Sequence, residues 1–82
     1  MNITIQLDRE NDQLYVLFRS QAELKGIAAR TMKLTKEILV DLDAEGRLVG
    51  LDISDASGFL GIDSLDELSV AVAFGGGKKE WQ

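Results

Sequence analysis

The sequence predicts a small α+β domain: an antiparallel β-meander sheet of four to five strands with one or two short helices packed on one face. Three observations lead there. Two stretches, residues 2–18 and 38–53, each run apolar, then polar, then apolar, as hairpins do. Alternation of period two runs through their arms. Between Ser54 and Glu67, helix-capping residues are followed closely by Gly58 and Gly61, which keep any helix short. Residues 1–74 are expected to form the domain, and 75–82 a flexible tail.

In the first hairpin Ile3, Ile5 and Leu7 share one side and Thr4 and Gln6 the other. The polar cluster Asp8 to Asp12 supplies the turn. Leu14 to Phe18 is a continuous apolar run, as expected of a central strand covered on both faces. Residues 20–36 support two readings. Ser20-Gln21-Ala22-Glu23 resembles a capping box, with Leu24, Ile27, Ala28, Thr31 and Leu34 at helical spacing. Gly26 costs such a helix about 1 kcal/mol, and a strand over 27–34 would join the two hairpins. Further on, Asp63 or Ser64 can cap a second short turn or helix. Leu68, Val70, Val72 and Phe74 alternate with Ser69, Ala71 and Ala73, which predicts a last strand.

The segment 38–53 admits a sharper alternative. A helix–loop–helix calcium site places oxygen ligands at loop positions 1, 3 and 5, glycine at 6 and a carboxylate at 12. Asp41, Asp43, Glu45, Gly46 and Asp52 fall at those positions, which makes the four carboxylates candidate metal ligands. The flanks argue against it, because Ile38-Leu39-Val40 and Leu48 to Ile53 are short and β-prone. A hairpin with the four-residue loop Asp43 to Gly46 sets Leu42 across from Arg47 and Ile38 across from Leu51. It gathers Ile38, Val40, Leu42, Val49, Leu51 and Ile53 on one face, whereas a three-residue loop would scatter them. Glu37, Leu39, Asp41, Leu48, Gly50 and Asp52 take the other face, with Glu37 opposite Asp52. That acidic and partly apolar strip makes Glu37, Leu39, Asp41, Leu48 and Asp52 the candidate partner-binding residues.

With 82 residues and neither Cys nor His, the chain has no disulfide or zinc staple. A domain of this size buries only about 60–65% of its extended surface, so a homodimer or a complex with another protein is expected. Charge is segregated. Residues 1–36 carry a balance of +2, residues 37–67 of −8 and residues 68–82 of +1. Nucleic acid requires a concentrated basic surface, and the acidic middle speaks against it. No stretch approaches the about 20 apolar residues of a membrane span. Met1 to Ile5 lacks the basic and apolar regions of a signal peptide, so a cytoplasmic setting is expected.

Without His or Cys, the usual proton shuttle and nucleophile are missing. Ser20, Ser54, Ser57, Ser64 and Ser69 have no partner base at a suggestive spacing. Short loops leave little room for a substrate cleft. No catalysis, cofactor or small-molecule substrate is therefore expected, and a protein-interaction module is the leading expectation. Weak divalent-cation binding at the acidic loop is the alternative.

Two motifs stand together. Residues 5–16 have the form D-x-x-x-D-x-L-Y, carried by Asp8, Asp12, Leu14 and Tyr15. Residues 38–57 run through an apolar stretch, D-x-D-x-x-G-x-(V/L)-V-G, an apolar–acidic pair and D-A-S. Over about residues 3–60 the chain resembles the small family called domain of unknown function 2283, with Asp52 where a Glu is common. The resemblance implies a compact β-meander with a terminal helix and no established activity. It also implies an antitoxin-like role toward a small basic toxin as an alternative, and it favours strand for residues 27–34. In the motif, Asp8 and Asp12 are expected to bond turn amides. Tyr15 is expected to cover an edge of the core with its hydroxyl in water, and Asp55 and Ser57 to cap the helix.

Overall fold

The computed structural model describes residues 2–19 and 28–75. Five strands form one antiparallel sheet: β1 (Thr4–Asp8), β2 (Gln13–Leu17), β3 (Arg30–Lys33), β4 (Ile38–Leu42) and β5 (Leu48–Ile53). A short helix α1 (Ala56–Leu60) and a 3-10 helix (Leu65–Glu67) follow. The α+β class and both hairpins are as expected. The capping-box helix proposed near Ser20 and the tail beyond Gly75 lie outside the described residues.

The strand order, β1-β2-β5-β4-β3, departs from the simple meander expected. The chain leaves β2, crosses to the far edge as β3, and returns through β4 so that β5 lies against β2. The most apolar strands thereby take the interior, and β2 has a neighbour on each side, as its unbroken apolar run predicts. Leu17 and Val49, on these two strands, are the most enclosed large side chains. Full burial of such a side chain contributes about 1.5–3 kcal/mol. Residues 30–33 are strand, as the resemblance favoured, and all four are exposed at the sheet edge.

One face of the sheet carries Ile5, Leu14, Val16, Leu51, Ile53, Ile38 and Val40, set by direct cross-strand pairs such as Leu14↔Ile53 and Val40↔Leu51. Leu14 is buried there with Ala56 of α1 and Leu65 of the 3-10 helix. Ile5, Val16, Ile53, Ile62 and Leu68 pack around them. Ser64 caps the 3-10 helix by accepting from the Asp66 amide at 3.1 Å. Arg9, just beyond β1, ion-pairs with Asp66.

The central hairpin corrects the expected loop and register. Asp43 N–H donates to the Arg47 carbonyl at 2.9 Å and Gly46 N–H to the Asp43 carbonyl at 3.0 Å. The loop is therefore three residues, Ala44, Glu45 and Gly46, with Gly46 at φ 79, the left-handed position that ends such turns. A three-residue loop alone would put the apolar side chains on both faces. A bulge beside Asp41/Leu42 prevents this: Leu42 pairs with Leu48, Asp41 with Gly50, and Val49 is the extra residue. Beyond the bulge Val40 meets Leu51 and Ile38 meets Ile53, two positions from the expected partners but on the expected face. Glu37 lies not across from Asp52 but beside Ser54, whose amide donates to its carbonyl at 2.9 Å.

The strand expected over Leu68–Phe74 does not form in this chain. Residues 68–75 join no sheet, and Ser69 onward is exposed. Alternation records a preference for one-sided burial, and here nothing described lies beside the segment to pair with it.

Candidate functional site

The face of the sheet away from α1 carries Gln6, Asp8, Gln13, Tyr15, Gly50, Asp52, Leu39, Asp41 and Thr31 in neighbouring register positions. Tyr15 is its centre. From β2 its ring crosses over Gly50 on β5 and its hydroxyl donates to Asp41 Oδ2 on β4 at 2.8 Å. Thr31 on β3 donates to Asp41 Oδ1 at 2.6 Å. One carboxylate thus ties three strands together across a fourth. The Tyr15 hydroxyl was expected to be wet; it is a partly buried donor instead.

Burial first, then the hydrogen bond to Asp41 and the charges of Asp41 and Asp52, push the Tyr15 phenol up from 10.0 to about 12. The phenol therefore stays protonated at neutral pH and makes a poor base. Below pH 10 both folded and unfolded phenols keep their proton, so the stabilising contribution is complete. Between pH 10 and about 12 the unfolded phenol ionises first and stability falls. Because this is the only tyrosine, alkaline titration of phenolate absorbance should give a midpoint near 12. Asp41→Asn should lower the midpoint without returning it to 10, since burial remains. A wild-type midpoint at 10 would contradict the placement of the ring.

Asp43 serves the turn. Its carboxylate accepts from the amides of Glu45 at 3.0 Å and Arg47 at 2.8 Å, and from Arg47 Nε at 2.9 Å. Arg19 approaches it at 3.8 Å. Hydrogen bonds from Arg47 hold this carboxyl below the usual carboxylate range. Only 6% of Asp43 is exposed, and the amides that bond its carboxylate belong to its own hairpin. Glu45 pairs with Arg47 at 3.0 Å.

The four candidate metal ligands are thus dispersed among separate tasks. Asp41 holds Tyr15 and Thr31, Asp43 and Glu45 hold Arg47, and Asp52 lies between Tyr15 and Leu39 in register. Among the described residues, no group of three or more His, Cys, Asp or Glu is close enough to hold a metal ion. Of the candidate partner-binding residues, Leu39, Asp41 and Asp52 are neighbours on the polar face. Glu37 stands just before β4, and Leu48 lies beyond the bulge across from Leu42. Sequence reasoning missed Thr31 as the second partner of Asp41. Its signal was masked by the open choice between strand and helix for that stretch.

A shallow, open depression of about 240 Å³ sits beside Tyr15, lined by Gln6, Asp8, Gln13 and Asp52. At the near turn, Asp8 accepts from the Asn11 side-chain amide at 2.8 Å and from its backbone amide at 3.2 Å. Asp12 faces the other way and caps α1 from a distance in sequence. Its carboxylate accepts from the Ser57 hydroxyl at 2.7 Å and from the Ser57 amide at 3.2 Å, while its carbonyl accepts from Ala56 N–H at 2.9 Å. Asp55, expected to cap the helix, makes no side-chain cap bond.

These contacts define a small sheet protein whose motif residues stitch strands, turns and helix together. The chain belongs to the family described as protein of unknown function DUF2283, whose model matches residues 4–57. It is also similar to the uncharacterized protein MJ0789 of Methanocaldococcus jannaschii, with 35% identity over 74 residues. That similarity covers 90% of this chain and 59% of the relative, so the chain spans little more than half of the relative's length. No solved structure matches the chain. Among the described residues, no helix is long and apolar enough to cross a membrane.

Proposed function

We propose that this protein is a non-catalytic interaction module that associates with a second copy of itself or with another protein, in the cytoplasm. The observation that carries the reading is an imbalance in apolar burial. Among the described residues five hydrophobic side chains are buried, whereas ten large ones are exposed, among them Met32, Leu34, Phe59, Val72 and Phe74. Single exposed apolar residues are ordinary, but a surplus over the core is a surface awaiting cover. The acidic polar face and the net charge of −5 favour a basic protein partner over nucleic acid.

The polar face supports the non-catalytic part. Each Asp41 oxygen already accepts a hydroxyl, and the Tyr15 proton is held tightly. The depression beside them is smaller than the roughly 300–1,000 Å³ of ordinary small-molecule sites. Native mass spectrometry and light scattering at micromolar concentration test the proposal, together with capture from a host lysate. A dimer, or a stoichiometric complex with a defined protein, is the expected result. A monomer that captures nothing specific would remove the proposal.

A further inference from the structure

We infer that residues Ser69–Phe74 of one copy add as an outer strand to the β1 edge of a second copy, each chain donating its segment to the other. The inference rests on the interaction-module reading and names the surface it uses.

The donor is built like a strand but has no sheet. Leu68 is anchored: it packs against the core of its own chain, and its amide donates to the Leu65 carbonyl at 3.1 Å. Beyond it, Val70, Val72 and Phe74 are 60%, 77% and 93% exposed and alternate in sequence with Ser69, Ala71 and Ala73; within a strand the two sets would take opposite faces. Leu68 has extended backbone, φ −77 and ψ 129, and no turn or bend interrupts residues 68–75. Residues 68–75 belong to no strand of their own sheet. None of the described backbone hydrogen bonds involves residues 69–75, so the segment has ladder groups to offer, as the free edge of a sheet does.

Two edges could accept it, and charge separates them. The β3 edge carries Arg30 and Lys33 among its four exposed residues, the kind of charged guard that discourages strand addition. The β1 edge carries a single charge, Asp8 at its end, and none from Thr4 to Leu7. Ile3 and Leu7 there are 57% and 39% exposed on the face that carries the core, and β1 is five residues long against six in the donor. Val70, Val72 and Phe74 can extend that apolar face, while Ser69, Ala71 and Ala73 extend the polar one. Main-chain bonding with alternating side-chain contacts is the recurring form of strand addition. The Arg9–Asp66 ion pair sets the root of the donor beside the end of β1. The root of the donor thus lies near the end of the acceptor strand, an arrangement that a two-fold exchange can close on both sides.

The test uses the full chain with two single variants. Val72→Pro removes an amide donor and fixes φ in the donor strand. Leu7→Lys places a charge on the acceptor edge. Native mass spectrometry and sedimentation should show a wild-type dimer. Each variant should weaken dimerisation at least about tenfold, near 1.4 kcal/mol, and Val72→Pro, at a position 77% exposed, should retain the urea midpoint of the monomer. Hydrogen exchange should protect the amides of residues 70–74 in the wild-type dimer only. A dimer that both variants leave intact would sink this inference and leave the interaction module standing. Protection of residues 70–74 in a monomer would show pairing within one chain and also overturn it. A monomer that captures a defined partner ends the exchange but not the module; a monomer that captures nothing ends both.

Discussion

Gly50→Ala should destabilise the protein by about 2–3 kcal/mol, the upper range for forcing an extra methyl into a packed site. A Cβ at this position would collide with the Tyr15 hydroxyl and stand 2.7 Å from Cζ and 3.2 Å from Cε1 of the same ring. Because Tyr15 reaches Asp41 only by crossing over Gly50, the ring must swing aside and its 2.8 Å hydrogen bond is lost. Urea unfolding measures the cost, and a double-mutant cycle assigns it. In a Tyr15→Ala background the same glycine replacement should cost less than about 0.5 kcal/mol or become favourable, since alanine loses less backbone entropy than glycine in a strand. An equal cost in both backgrounds would show that the ring does not need the space.

Asp12→Ala should cost about 2–3 kcal/mol. Loss of a helix cap accounts for about 0.5–2 kcal/mol of this. The remainder is conformational: Asp12 holds φ 52, and the left-handed region costs an ordinary residue about 1–2 kcal/mol. Three substitutions separate the parts. Asn keeps both the conformation and an acceptor, and should retain most of the stability. Gly relieves the backbone but leaves the Ser57 amide and hydroxyl without their partner, so it should fall between Asn and Ala. A glycine variant as stable as wild type would show that the carboxylate contributes nothing across the junction between the first turn and α1.

What the sequence disclosed, and what it hid, follows from the range of each interaction. Alternation in Ile38–Leu42 and Leu48–Ile53 was enough to place the apolar side chains on one face, because parity survives a shift of two residues. It was not enough to give the register. A three-residue loop plus an extra Val49 has the same parity as the four-residue loop it replaces. The Leu68–Phe74 alternation was equally plain, but a pattern names the face a strand wants buried and not the neighbour that buries it.

The polar face was the least legible. Tyr15 and Asp41 are 26 positions apart, and Asp12 and Ser57 are 45 apart. No local rule joins residues at such distances. The Gly50 position belonged to a recognisable motif, yet its reason lies in a tyrosine from another strand. The strand order was hidden for the same cause. Two hairpins can join edge to edge in more than one sequence of strands, and the choice made here rests on the packing of β2 against β5.

That order has a consequence for how the chain acquires its structure. β1 with β2, and β3 with β4 and β5, are units of neighbouring residues that can close early. The seam between them, Leu14 to Leu17 against Gly50 to Ile53, spans most of the family-matched region and carries the largest loop-closure entropy. Among the described strands, the amino-terminal ribbon gains its lateral companion only when the fifth has left the ribosome. Zipping of that seam should therefore set the folding rate, and mutations along it should slow refolding more than equally costly changes at either turn.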